Sequence, residues 1–163
     1  TLLTALAAAG EADDAQIDAE LASEDTATGR ERAARAKAAR PTVQAKEAAW
    51  AAAVEGSGLP NAVVDAIGQG FSRPGTPADL LRPYVERYHC MLDTVEERGS
   101  HALVESVVYG FYPRPLVDRD LHDATQAWLD THPDAPAALR RLVVENRDPV
   151  ARALAAQARD AGA

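Results

Sequence analysis

The side chains with the readiest chemistry are four histidines, His89, His101, His122 and His132, and a single cysteine, Cys90. A helical zinc site of the metallopeptidase kind needs two histidines at i and i+4 with a Glu after the first, so that both imidazoles reach one ion and the carboxylate polarises its water. No pair of the four has that spacing. His101 and Glu105 share a helix face, but they supply two ligands at most and read as a surface hydrogen bond. His89 beside Cys90 suggests an imidazole-activated thiol. Adjacent helical residues point about 100° apart, however, and Cys90 sits next to an apolar stripe, so a partly packed structural thiol is expected. There is no G-x-S-x-G elbow, and neither Gly56-Ser57-Gly58 nor Gly68-Gln69-Gly70 is followed by the Lys-Ser/Thr of a phosphate loop. The residues therefore assign no catalytic group and no metal ligand.

Charge is distributed unevenly. Residues 11–25 hold seven acids and no base, whereas residues 30–40 hold Arg30, Arg32, Arg35, Lys37 and Arg40 against Glu31 alone. Two successive helices of opposite sign predict a screened salt-bridge seam worth a few tenths of a kcal/mol per exposed pair. The alternative is a basic face that attracts a carboxylate such as the C-terminus of a peptide, with Arg30, Arg35 and Arg40 as its substrate-binding candidates. The net charge of −8 repels a phosphate backbone, so no nucleic-acid partner is expected.

The elements that must position these groups are helices. The chain of 163 residues contains 36 alanines, 10 glycines and 2 phenylalanines, which favours an all-α protein with a thin, close-packed core. Prolines fall where helices open and glycines where they close. The spacing predicts helices over residues 2–9, from Asp13, over 28–39, from Pro41 to Gly56 with Val43, Trp50 and Val54 on one stripe, and over 60–70. Thr76 caps the longest helix, which buries Leu81, Tyr84, Val85, Tyr88, Met91, Leu92 and Val95 despite Pro83. A helix with Leu103, Val104, Val107, Val108 and Phe111 follows, then one capped by Asp118 with Leu121, Ala124, Thr125, Trp128 and Leu129 facing inward, and Asp134 and Asp148 cap the last two. Short connections make these helices antiparallel neighbours, which build either a compact bundle or a curved solenoid, and the solenoid, a HEAT-like, α-α superhelical array of about nine or ten short helices, is favoured. One cysteine, no membrane-length apolar run and no signal peptide point to a soluble, intracellular protein with no membrane partner, in the cytoplasm. Thr1 is not a methionine, so residues 1–163 are expected to form a single domain and to be a fragment that begins inside a longer protein.

The stretch from Thr28-Gly29-Arg30 through Ala39-Arg40-Pro41-Thr42 to Lys46-Glu47-Ala48-Ala49-Trp50 resembles the C-terminal helical region of the bacterial aminopeptidase N family, gluzincin zinc aminopeptidases. The order of pieces agrees: an A-R-P-T segment, K-x-x-A-W, the turn Leu59-Pro60-Asn61, and the segment Ala78-Asp79-Leu80-Leu81-Arg82-Pro83-Tyr84. An arginine-bearing turn, Glu97-Arg98, and a V-x-G-x-x-P ending at residues 108–113 complete it. The resemblance implies a helical domain over a thermolysin-like catalytic domain, its intramolecular partner, helping to enclose a cavity for peptide substrates. In such a parent, zinc and a Glu activate the water that removes the N-terminal residue. The family's G-x-M-E-N signature is missing, since Met91 is followed by Leu92 and Asp93, and the zinc helix is missing too. These 163 residues alone are therefore expected to be inactive and to carry no cofactor, with zinc held in the catalytic domain.

Two other readings stand beside this one. A free-standing helical-repeat interaction module fits the thin core and short connections equally well, although the apolar N-terminal face of Leu2, Leu3 and Leu6 looks ready to pack on something upstream. A complete small enzyme would have to use His89, Cys90 or His101.

Overall fold

The structure is a computed structural model that describes residues 1–23 and 26–161. Glu24 and Asp25 of the acidic run lie outside the described residues, as does the side chain of Arg98.

Ten α-helices and no strands are present among the described residues: α1 Leu2–Ala8, α2 Asp14–Ser23, α3 Ala27–Ala39, α4 Val43–Trp50, α5 Asn61–Phe71, α6 Ala78–Leu81, α7 Tyr84–Leu92, α8 His101–Gly110, α9 Arg119–Thr131 and α10 Ala137–Ala161. Local chemistry starts most of them. Thr1, Thr26, Thr42, Ser100 and Asp118 each accept a hydrogen bond from the N–H three residues on, which satisfies a donor the helix cannot use itself. Asp13 and Gln16 exchange such bonds at 2.9 Å each, a reciprocal capping box. Where the starting position is proline, as at Pro60, Pro77 and Pro83, no side chain caps the helix.

Several boundaries differ from the sequence expectation. The segment from Thr76 to Val95 is not one long helix but α6 and α7, because Pro83 has no N–H and its ring crowds the preceding turn. Thr76 does not cap it; its hydroxyl donates to Arg73 O at 2.8 Å. The expected last two helices are instead the single α10, 25 residues long, with Pro149 inside it. Leu142, Val143, Asn146 and Val150 are buried on both sides of the proline, so packing carries the helix through the break. Asp148 is consequently no cap and accepts from Arg147, while Asp134 lies in the turn ahead of Pro136. Trp50 and Val54 are buried as expected, but Val43 is 59% exposed. It opens α4 directly after the Thr42 cap, ahead of the first turn that touches the core.

Packing follows two rows, with consecutive helices also paired, α2 on α3, α3 on α4 and α9 on α10. α1 packs on α3, α3 on α5, α5 on α8 and α8 on α10, while α7 packs on α9. Glycines bring the first row unusually close. A Cβ at Gly70 would stand 2.3 Å from Arg35 O, and one at Gly68 would stand 2.6 Å from Gly110 Cα. The main core surrounds an aromatic cluster in which Trp50, Phe71, Tyr84 and Phe111 meet with ring centroids 4.9 to 6.1 Å apart. A separate small cluster of Ala7, Ala12, Ile17, Ala33 and Ala36 holds α1 and α2 to the opposite side of α3. No helix is long and apolar enough to cross a membrane among the described residues.

Candidate functional site

The basic helix α3 is where the sequence places the candidate substrate groups. Arg30, Arg35 and Arg40 recur every five residues, and each step turns about 140° around the helix axis, so the three side chains do not share a face. Arg40 pairs with Asp14 of α2 at 2.6 Å and Lys37 pairs with Asp18 at 2.6 Å. The opposite signs of α2 and α3 thus meet in a half-exposed seam worth a few tenths of a kcal/mol per pair. Arg30 is exposed on the first turns of α3, and Arg35 is half-buried, its carbonyl against Gly70.

The seam forms one rim of the largest groove, about 650 Å³, whose floor is α3 and whose far wall is α4 and α5. Ala48, Ala52, Leu59, Val63 and Ile67 make the groove apolar, and Lys37 and Arg40 are the only cations on its edge among the described residues. Such a surface can receive an apolar polypeptide segment; its two carboxylates, Asp14 and Asp18, are paired with Arg40 and Lys37. Arg30 and Arg35 do not line it.

The histidines are dispersed. His89 Nδ1 lies 2.7 Å from Val85 O within α7 and Nε2 lies 3.1 Å from Thr125 Oγ1, so one nitrogen holds the ring to its own helix and the other joins α7 to α9. Burial holds the imidazole below its usual pKa, against the opposing influence of the Val85 carbonyl and Asp93. Cys90, expected to be partly packed, is exposed. The buried stripe of α7 runs through Tyr84, Tyr88, Met91 and Leu92, which turns position 90 outward. His132 stacks on Trp128 with centroids 4.6 Å apart and lies 3.4 Å from Asp93, and His122 meets Asp123. His101 and Glu105 are both exposed. Among the described residues no group of three or more His, Cys, Asp or Glu is placed to hold a metal ion.

Three polar arrangements escaped the sequence reading. Lys46 is fully buried, and its ammonium donates to Ala38 O at 2.7 Å, Phe71 O at 3.1 Å and Gly70 O at 3.4 Å. Burial pushes its pKa down to about 8. The signal was present: Lys46, Ala49, Trp50, Ala53 and Val54 follow i, i+3, i+4, i+7 and i+8 spacing, so the lysine stands on the buried stripe. Arg87 lies over the rings of Trp50 and Tyr84 at 5.0 and 4.9 Å and pairs with Glu47 and Glu55 at 2.8 and 2.9 Å. Asn146, also fully buried, donates to Val108 O at 2.8 Å and to the Tyr88 hydroxyl at 3.2 Å, and accepts from Arg114 at 2.9 Å. Asn146 carried the same signal, standing at i+7 on the stripe of Leu139, Leu142, Val143 and Val150, whereas nothing in the local sequence separates Arg87 from ordinary surface residues.

Helices stacked through close glycine crossings, with polar groups devoted to joining them, define a helical packing domain. Residues 1–152 match the ERAP1-like C-terminal domain, and the chain belongs to that family. It is similar to the aminopeptidase N of Streptomyces lividans, with 44% identity over 158 residues that make up 97% of this chain and 18% of that protein. The chain thus spans less than a fifth of the length of that relative.

Proposed function

We propose that residues 1–163 are one domain of a longer peptidase of the aminopeptidase N type, closing one side of the cleft in which the catalytic domain removes N-terminal residues from peptides. The observation that carries this reading is the 44% identity along 97% of the chain to an aminopeptidase N of which it covers 18%. On this reading zinc and its activating Glu belong to polypeptide outside these residues. No grouping among the described residues fits the ion, and no catalytic step is routed through this domain. Its row of packed helices from α1 to α3, α5, α8 and α10, with α7 on α9, suits a HEAT-like superhelical wall. The chain's part in catalysis is exclusion and selection, since a wall over the cleft limits the length and folding of the substrates that enter. Arg30, Arg35 and Arg40, being spread around α3, would act as a diffuse positive field on the substrate carboxyl end rather than as a single binding point. Soluble cytoplasmic residence fits this role. A free-standing interaction module has no specific observation in its favour.

The test is to express the full-length polypeptide with and without residues 1–163 and assay aminoacyl amides and oligopeptides. The intact polypeptide should release N-terminal residues and lose that activity to a zinc chelator, and removal of the domain should broaden or abolish turnover of long substrates. An intact polypeptide without aminopeptidase activity, or one indifferent to removal of the domain, would overturn the reading.

A further inference from the structure

Lys46 is the most unusual charge in the molecule. It is fully buried, it makes no ion pair among the described residues, and its neighbour Glu47 is turned away to Tyr84 and Arg87. What surrounds the ammonium is backbone. Ala38 O comes from the last turn of α3, and Gly70 O and Phe71 O come from the last turn of α5. The Phe71 ring also lies with its centroid 5.6 Å from Nζ. Carbonyls in the last turn of a helix lack intrahelical donors and carry the negative end of the helix dipole. Two such ends therefore converge on one point that water does not reach. Three carbonyl oxygens and an aromatic face with no acid among them recognise a small cation rather than a specific side chain.

We propose that the ends of α3 and α5 form a monovalent-cation site of ammonium type, and that Lys46 is its tethered occupant. The cation, rather than the packing of the lysine stem, is what joins the two helix ends. A charge with only dipoles for partners remains buried because three acceptors at two helix ends replace the water it gives up. The lysine tether makes the ligand intramolecular, so no ion need be drawn from solution. The site lies where a Cβ at Gly70 would collide with Arg35 O and the Cβ of Ala38, so cation and close crossing occupy the same junction. This inference concerns the junction alone and is independent of the peptidase reading.

Chemical rescue tests it. Lys46→Ala removes the tethered ammonium but leaves the three oxygens and the space it filled. Its thermal midpoint, measured at equal ionic strength, should fall by roughly 5 °C or more in tetramethylammonium chloride, a cation too bulky for the junction. It should recover saturably in ammonium chloride, while the wild type melts alike in both salts. Lys46→Met, which refills the stem without a donor, should remain low in both. A Lys46→Ala midpoint equally indifferent to the two salts would overturn the proposal, as would Lys46→Met melting like the wild type. If Lys46→Ala fails to fold in either salt, the wild type decides through nitrogen-15 spectra of its lysine side chains at pH 6.5. A slowly exchanging Lys46 ammonium supports the site, and a neutral amine refutes it.

Discussion

Gly68 and Gly110 touch backbone to backbone where α5 crosses α8, and a Cβ on either one would approach the other's Cα to 2.6 or 2.9 Å. The Ser72 hydroxyl seals the crossing, lying 2.9 Å from Gly110 O and 3.2 Å from Gly68 O. Because the obstacle is main chain rather than a movable side chain, neither helix can accommodate an added methyl without moving apart. Gly68→Ala should therefore cost about 1–3 kcal/mol despite alanine's better helix propensity, as read from urea unfolding. A gain in stability would mean that the helices separate freely.

Asn146 ties three elements together, accepting from Arg114 and donating to Val108 O and to Tyr88, whose hydroxyl also donates to Val108 O at 3.0 Å. Asn146→Ala leaves a buried carbonyl short of a donor and opens a small void, with an expected loss of about 2–4 kcal/mol. Asn146→Asp should also destabilise, since it exchanges the amide donor for a buried acceptor facing a carbonyl. Denaturant unfolding of both variants provides the check.

His89 gives the fold an acid sensitivity. Burial holds its pKa below the ordinary 6.5, so on acidification the unfolded chain takes up a proton that the folded chain still refuses. Stability from this group is fully present above pH 6.5 and is lost as pH falls below that value toward the lowered folded pKa. The groups that face it are the Val85 carbonyl, Thr125 and, at longer range, Asp93. Wild type should lose more stability than His89→Gln between pH 7 and 5, measured as urea midpoints; parallel losses would assign the acid sensitivity elsewhere.

The arginines of α3 separate two views of that helix. In the full-length polypeptide, replacing Arg30, Arg35 or Arg40 with alanine should raise KM for longer peptides by roughly two- to fivefold, with little change for single-residue amides. Equal effects on both substrate classes would leave these residues with no part in substrate attraction. Arg40→Ala also frees Asp14, so its unfolding midpoint serves as the control for a purely structural effect.

Much of the architecture was legible in one dimension. Alanine content and three- and four-residue apolar steps determine helices, and the Asp118 cap and the buried faces of α7, α8 and α9 follow from local chemistry. The resemblance through residues 28–50 likewise pointed to the family that the whole-chain similarity establishes. Tertiary structure decided what local rules leave open. Pro83 ended a helix that the pattern continued, whereas Pro149 stayed inside one. Periodicity marks which face is buried but not against what, so it could not show that Gly68 meets Gly110 or that Arg40 is spent on Asp14. Lys46 makes the distinction sharpest. Its place on the apolar stripe of α4 is written in the sequence, but the three carbonyls that make its burial tolerable come from residues 8, 24 and 25 positions away. A buried charge is stabilised by partners, and partners distant in sequence exist only once the chain has folded.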